Sequence, residues 1–209
     1  MMPQWINEGS GPAPGGRTGG VIGEDQILDA AFDLLVDRGI RRMTMSDVGR
    51  QAGVSRATLY RRWGSVNDVV GALLTREFAQ AAAETVPGAG DGRHRLVSAV
   101  VAMVRLIRTH PVLRKIVEVD PDYLVPYLLQ RLGTSTRDHL ALVEEGIRAG
   151  IADGSIGPGD PADRARSVLL TAMAFCLSGP VVAETGAQDH ALDRLDEQLG
   201  VMLDRYLAP

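Results

Sequence analysis

Apolar residues recur along most of the chain with the period of an α-helix, and no stretch alternates convincingly as a strand would. The clearest stripe consists of Ile27, Ala30, Ala31, Leu34 and Leu35, and it predicts a helix from about residue 23 to residue 38. Two acidic residues lie in the first turn of this helix and a glycine follows its last turn, as helix ends favour. Similar stripes, separated by clusters of Gly and Pro, predict an all-α fold of about nine helices.

Residues 44–63 contain two short helix patterns on either side of a glycine turn. Thr44 and Asp47 have the spacing of a capping box at the start of the first helix. Gly53 ends that helix at a position that we expect to have a positive φ, and Ser55 caps the second helix. A hydrophobic seam holds the pair together, formed by Met45, Val48, Ala52, Val54 and Leu59. This arrangement predicts a helix-turn-helix.

The second helix of this motif has an outward face that suits DNA. That face consists of Arg56, Ala57, Thr58, Tyr60, Arg61 and Arg62. Small and polar residues at a helix N-terminus can approach base edges, while arginines and hydroxyls bind phosphates. Residues 38–64 include seven Arg and one Asp, a balance of +6, whereas the whole chain has a net charge of −4. Basic charge is therefore concentrated here, and an ordinary solvated face is the alternative interpretation.

Residues 27–74 resemble the DNA-binding domain of TetR-family transcriptional regulators, most specifically in Ala52-Gly-Val-Ser-Arg-Ala-Thr-Leu-Tyr60 followed by Trp63. The resemblance implies a homodimer, most often a repressor, that binds a pseudo-palindromic operator in double-stranded DNA. It also implies DNA-binding roles for Thr44, Ser55, Arg56, Ala57, Thr58, Tyr60, Arg61 and Arg62. Of these, Arg56 and Ala57 would meet base edges and most of the others would bind phosphates. Val66 departs from the family pattern, which usually has a lysine at that position.

The sequence divides into three parts. Residues 1–20 form a Gly- and Pro-rich tail that we expect to be disordered. Residues 21–66 form the predicted helix-turn-helix domain, and residues 67–209 a larger helical domain for ligand binding and dimerisation. A helix from Ser65 to about Thr85 bridges the two domains, so a ligand that moves this helix would change the spacing of the two DNA-reading helices in a dimer.

The last two predicted helices begin at Asp160-Pro161 and near Asp189. Apolar residues extend around more of their surface than one core can use. In the resemblance to TetR regulators, these helices form a four-helix bundle with those of a second copy. The predicted interface residues are Val168, Ala172, Phe175, Leu192, Leu195, Leu199 and Met202. The alternative is that both helices are core helices of a monomer.

The middle helices have large or adaptable apolar residues that predict a pocket for a small, mostly hydrophobic effector. The expected lining residues are Phe78, Met103, Ile107, Tyr123, Tyr127, Leu142 and Phe175. His139 is a possible polar contact. A plain hydrophobic core is the competing interpretation of these residues. A DNA-binding regulator that senses no small molecule, and that is controlled by a protein partner or by its abundance, is the alternative function.

Catalytic and metal-binding patterns are not found in the sequence. The four histidines are too widely spaced for a metal site, and the single Cys176 cannot form an intramolecular disulfide. We therefore expect no enzyme, no cofactor and no metal. No secretory signal is visible, and the uncharged stretch 167–183 is too short and too interrupted by Gly179-Pro180 to span a membrane. The sequence predicts a cytoplasmic protein that does not bind membranes.

Overall fold

The structure is a computed structural model that describes residues 23–85, 89–130, 132–183 and 188–209, without the side chains of residues 188–190. The tail predicted over residues 1–20 lies outside the described residues.

The described residues form eleven α-helices and one 3-10 helix, Pro121–Tyr123, and none of them forms a strand. In chain order the α-helices are α1 (Glu24–Arg38), α2 (Met45–Ala52), α3 (Arg56–Arg62), α4 (Val66–Glu84), α5 (Gly92–Thr109), α6 (Pro111–Val119), α7 (Val125–Leu129), α8 (Thr134–Ala152), α9 (Pro161–Leu177), α10 (Gly179–Ala183) and α11 (Gln188–Leu207). The all-α prediction is confirmed. The count exceeds nine because α7 and α10 are separate five-residue helices, each with a proline in its first turn, which interrupts the longer helix pattern.

A first hydrophobic core lies between the helices of the N-terminal third and α6. Its fully buried side chains include Leu35 from α1, Leu59 from α3 and Val70 from α4. Val112 and Ile116 of α6 are also fully buried in this core. The helix-turn-helix is therefore packed against a segment that follows it by about fifty residues in the chain. The predicted boundary at residue 66 stays a prediction, since this core extends across it.

A second core joins α5, α8, α9 and α11. Val104, Ile147, Val168 and Leu199 are among its buried side chains, one from each of these helices. The N-cap of α9 agrees with the sequence pattern, because Asp160 accepts hydrogen bonds from the first turn of that helix. The long helices after residue 90 thus form a bundle with its own interior.

Buried ion pairs join Asp196 of α11 to two arginines of α5. The carboxylate of Asp196 is almost fully buried and accepts hydrogen bonds from Arg105 Nε at 2.7 Å and from both Arg108 Nη atoms at 2.7 and 2.9 Å. Burial alone would raise the pKa of Asp196, but these hydrogen bonds outweigh burial and lower it. Asp196 is therefore ionised at neutral pH, and the bundle contains a compensated charge near the middle of its last helix.

A buried carboxylate at Asp120 joins the two parts of the chain. Only 2% of Asp120 is exposed, and its Oδ2 accepts a hydrogen bond from the backbone N–H of Ile40 at 2.6 Å. The loop after α1 comes so close that a Cβ on Gly39 would lie 2.6 Å from the same oxygen. The sequence pattern Asp120-Pro121 predicts a cap residue followed by a proline in the first turn, and the 3-10 helix begins there, but the Asp120 side chain makes no capping hydrogen bond. It stabilises the start of the loop that leads into α2 instead.

Three further polar contacts join the same two regions. They are Lys115 Nζ to the backbone oxygen of Asp37 at 3.2 Å, Arg41 to Asp122 at 2.5 Å, and the Tyr123 hydroxyl to the backbone oxygen of Asn67 at 3.3 Å. Together they place the segment after α5 against the C-terminus of α1 and the first turn of α4.

Among the described helices, no single one has both the length and the hydropathy that a membrane span requires. Helices α5 and α6 meet them only as a pair, and that pair is bent by 58° at the break between them.

Candidate DNA interface and ligand cavity

The turn between α2 and α3 has the geometry of a Schellman motif. Gly53 has φ 68° and ψ 26°, the left-handed conformation that was predicted for it. The N–H of Val54 donates to the oxygen of Gly49 at 2.9 Å, and the N–H of Gly53 donates to the oxygen of Arg50 at 3.3 Å. A Cβ on Gly49 would lie 3.2 Å from Leu59 Cδ1, so the small residue there lets the two helices pack closely. The relative orientation of α2 and α3 follows from these contacts.

Both helices of the motif have side-chain caps at their N-termini. Thr44 and Asp47 form the predicted capping box, in which Thr44 Oγ1 accepts from the N–H of Asp47 at 3.1 Å. Hydrogen bonds from the Thr44 side chain are the main reason why the pKa of Asp47 is lowered. Ser55 Oγ accepts from the N–H of Thr58 at 3.2 Å. The two predicted DNA-binding hydroxyls at Thr44 and Ser55 therefore also stabilise the ends of the helices that present them.

The outward face of α3 agrees with the sequence prediction. Leu59 is fully buried and anchors the helix, whereas Arg56, Ala57 and Tyr60 are exposed. The guanidinium of Arg56 lies over the Tyr60 ring, 5.4 Å from its centroid, and 3.5 Å separates Arg56 Nη2 from the Tyr60 hydroxyl. This cation–π contact holds the arginine against its own helix, which limits the rotamers that it can use to reach a base.

The positive charge of this face is smaller than the sequence count indicates. Four of the seven arginines between residues 38 and 64 lie within 4.0 Å of a carboxylate, and these are Arg38, Arg41, Arg50 and Arg62. The guanidinium of Arg62 is 3.9 Å from Glu24 of α1. Within the described part of the chain, Arg42, Arg56 and Arg61 have no ion pair. These three, all exposed, are the cations of this face best able to contact DNA.

A large cavity lies between the middle helices. Its volume is about 1160 Å³, and its walls come mainly from α4, α5, α8 and α9. Five of the seven predicted lining residues line it, namely Phe78, Met103, Ile107, Tyr127 and Leu142. The other two do not. Tyr123 packs on the Tyr127 ring with centroids 5.6 Å apart, and Phe175 packs against the second core.

Most residues that line the cavity are apolar. Six charged residues also line it, namely Glu24, Asp25, Asp68, Arg76, Arg95 and Arg137. Burial lowers the pKa of His139, partly offset by a hydrogen bond to the backbone of Phe78, so the neutral ring predominates at pH 7. Burial raises the pKa of the Cys176 thiol to about 11, so it stays protonated. No group of three His, Cys, Asp or Glu side chains within the described ranges is placed to hold a metal ion. The cavity therefore suits a mostly apolar molecule with few hydrogen-bonding groups.

Small residues were missed in the sequence prediction of the cavity. Ala82, Ala99, Gly146 and Ala149 all line it. The only sequence signal would be small residues at helical spacing on inward faces, and closely packed helices have the same pattern. The large side chains in the sequence indicated which helices could line a cavity. The small side chains between them determine how far the cavity extends.

Only some of the predicted dimer-interface residues are accessible on a single chain. Val168, Ala172 and Leu199 are buried in the second core of the same chain, so they cannot contact a partner directly. Phe175, Leu192 and Leu195 are half-buried, and Met202 is exposed. The large apolar side chains exposed on the described part of α9–α11 are Leu170, Val181, Val182, Val201, Met202 and Tyr206. A partner that packs on this surface would meet these residues and not the buried three.

Known transcriptional regulators are similar to this chain in sequence and in fold. The sequence profile described as "Bacterial regulatory proteins, tetR family" matches residues 27–73. An uncharacterized HTH-type transcriptional regulator of Mycobacterium tuberculosis (strain H37Rv) is 34% identical over 161 residues, which cover 75% of this chain and 82% of that protein. The solved structure of QsdR, a TetR-family transcriptional repressor of R. erythropolis, is similar with a TM-score of 0.60 at 17% identity, covering 86% of this chain and 93% of that one. A TetR/AcrR-family regulator from Thermobifida fusca gives 0.55 at 17% identity, covering 87% and 96%.

Proposed function

Because the chain belongs to the TetR family of bacterial transcriptional regulators, we propose that it is a homodimeric repressor, released from a pseudo-palindromic operator by a small, mostly hydrophobic ligand. The reading helix is α3 in this proposal, and α9 and α11 contribute to the dimer surface. The protein acts in the cytoplasm, where its DNA is, and needs no cofactor.

The observation that carries the ligand half of the proposal is the position of the cavity relative to α4. Val69, Val70 and Leu73 of this helix are buried in the first core, with the helix-turn-helix. Leu74 and Phe78, on the next turns, line the cavity. A ligand that displaces Leu74 or Phe78 therefore acts on the same helix that supports α3. In a dimer this movement would change the separation of the reading helices from the ~34–36 Å between successive major grooves.

The direct test measures DNA binding and ligand response together. The purified protein is first used to select operator sequences from random double-stranded DNA, and binding is then followed by fluorescence anisotropy while a panel of apolar compounds is added. We expect a pseudo-palindromic site and at least one compound that releases it. Specific DNA binding that no compound alters would instead favour the alternative, a regulator controlled by a protein partner or by its abundance.

Base reading by Arg56 is expected to be separable from phosphate binding by Tyr60. Arg56→Ala should weaken operator binding by about 1–3 kcal/mol and reduce the preference for one base pair, since a bidentate arginine contact is lost. Tyr60→Phe keeps the ring that supports Arg56 and removes only a hydroxyl, so it should weaken all operator variants alike. Anisotropy titrations with single-base operator variants measure both effects.

Arg148→Ala is the matched control for loss of charge, because Arg148 is an exposed arginine on α8 that pairs with Glu144. The affinity of the Arg148→Ala variant for DNA should equal that of the wild type. A uniform loss across operator variants for Arg56→Ala would contradict a base-reading role.

Truncation of a cavity wall is expected to cost less stability than truncation of a filled core. Ile116→Ala removes a fully buried side chain from the first core and should lower the free energy of unfolding by about 2–5 kcal/mol. Ile107→Ala removes the same atoms from the cavity lining, where they already face empty space, and should cost clearly less. Urea denaturation of both variants measures the difference. Equal costs would indicate that the space around Ile107 is filled in solution.

A further inference from the structure

The lining of the cavity extends along three long helices. Its lining residues run from Asn67 to Thr85 along α4, from Gly92 to Ile107 along α5 and from Gly133 to Ala149 along α8. At the helical rise per residue, these stretches are about 22–27 Å long. Division of the volume by this length gives a mean cross-section of only about 45 Å². A space of this volume that follows the whole lining is about three times as long as it is wide, and a compact molecule of one or two rings would leave most of it empty.

The end of the cavity that is remote from the helix-turn-helix is apolar and narrow. Ala82, Ala99 and Ala149 line it, and Gly92 lies so close to α8 that a Cβ there would be 2.7 Å from the Cα of Gly150. The one cation at this end, Arg95, already donates to the backbone oxygen of Gly90 and lies 3.8 Å from Asp153. The polar side chains at this end, Arg95 and Thr85, already make contacts within the protein, so a hydrocarbon group of a ligand fits this end best.

The end near the helix-turn-helix is open and polar. Leu128 and Leu132 line the cavity there and are also exposed. The lining at this end contains four polar residues in succession, Thr134, Ser135, Thr136 and Arg137, and the acidic residues Glu24, Asp25 and Asp68 also line the cavity. Glu24 lies 3.9 Å from Arg62 and Asp25 3.9 Å from Arg76, and Asp68 accepts a hydrogen bond from Ser65. The Arg137 guanidinium donates to the backbone oxygen of Leu132 at 3.0 Å, and among the described residues it has no carboxylate partner. Exposed leucines around a polar opening are what a molecule with an apolar tail and a polar head would need.

We propose, on the basis of the ligand-responsive function above, that the effector is a long-chain amphiphile with a carboxylate head. Its unbranched hydrocarbon chain lies parallel to α4 and α5, and its head lies at the open end beside Arg137. The narrow end then determines the longest chain that fits. The cavity thus selects ligands by the length of their hydrocarbon chain and excludes compact or branched molecules of equal hydrophobicity.

A chain-length series tests this inference with the full-length protein. Binding of octanoate, dodecanoate and hexadecanoate is measured by isothermal titration calorimetry below their critical micelle concentrations. Each buried methylene contributes enough to raise affinity by about fourfold, so affinity should increase steeply along the series. Hexadecanol should bind more weakly than hexadecanoate, and Arg137→Gln should remove this difference. Equal affinities along the series would overturn the proposal.

Two neighbouring alanines provide a matched pair of variants. Ala82 lines the narrow half of the cavity, whereas Ala83 is exposed on the same helix and does not line it. Ala82→Phe should lower the affinity for hexadecanoate at least tenfold and leave octanoate unchanged. Ala83→Phe has the same effect on helix propensity, and this variant should bind hexadecanoate and octanoate with the affinities of the wild type. Thermal unfolding confirms that each variant is folded, and Ala99→Leu, on the opposite wall, gives the same test if Ala82→Phe does not fold. An equal response of Ala82→Phe and Ala83→Phe would contradict the placement of the chain.

The outcome also separates this inference from the function on which it rests. If compact apolar compounds bind and release the operator while the carboxylates do neither, the chain-length inference fails and the sensor function stands. If the protein binds its operator but no compound of either kind binds the protein, both fail.

Discussion

Gly39→Ala is expected to lower the free energy of unfolding by about 3–5 kcal/mol, a large effect for one methyl group. Gly39 has φ 81° and ψ 172°, a conformation that is essentially restricted to glycine. A Cβ there would also lie 2.6 Å from Asp120 Oδ2, the atom that accepts the Ile40 N–H. The carboxylate would have to move, and a buried hydrogen bond to a charged group would be lost. Urea denaturation measures the effect.

A double-mutant cycle separates backbone strain from the close contact. Gly53→Ala gives the cost of a positive φ in the αL region without a close contact, because a Cβ there would meet open space, and it should cost about 1–2 kcal/mol. Asp120→Ala removes the carboxylate that blocks the new methyl group. The variant with both Gly39→Ala and Asp120→Ala should then be less destabilised than the sum of the two single changes. Additive effects would mean that Gly39 and Asp120 are not in contact in solution.

Leu199→Glu is expected to unfold the second core, whereas Met202→Glu should leave the fold intact and split the proposed dimer. Leu199 has no exposed surface, and a carboxylate placed there would be buried without a partner, at a cost of at least about 5 kcal/mol. Met202 is one helical turn further along and 51% exposed. In a symmetric dimer its glutamate would be brought close to that of the second copy. Circular dichroism reports the fold, and light scattering reports the mass.

The wild type provides the reference for this pair. It should scatter light as a dimer at micromolar concentration, and loss of operator binding should accompany loss of the dimer in Met202→Glu. A folded Leu199→Glu protein would show that the buried position of Leu199 is wrong. A dimeric Met202→Glu protein would place the subunit interface elsewhere.

The DNA-reading motif could be predicted from the sequence because its determinants are local. Thr44 and Asp47 are three residues apart, and Ser55 caps a helix that begins at the next residue. The positive φ of Gly53 follows from a turn in which both hydrogen bonds span at most five residues. Propensity and capping decide such features before any tertiary packing forms. The roles of the exposed side chains toward DNA stay predictions.

Contacts between distant segments could not be predicted in the same way. Asp120 and Ile40 are 80 residues apart, and an Asp-Pro pair is equally typical of a helix cap. Leu199 and Met202 belong to one apolar stripe, and only the packing of α5 and α9 against α11 determines which of them is buried. Tyr123 and Phe175 were expected in the cavity on grounds of size, yet both pack elsewhere. The period of the apolar residues identifies which face of a helix is buried, but it does not identify the helix against which that face packs.

The placement of Val112 and Ile116 in the first core has a consequence for the modularity of the protein. A fragment of residues 23–85 would keep the whole helix-turn-helix but would lose these two side chains and the acceptor that Asp120 provides for Ile40. The first core would then be open to water on the side that α6 covers. The DNA-reading part is therefore not an interchangeable cassette, and a chimera that transfers its operator specificity to another regulator must include residues 111–123 together with α1–α4.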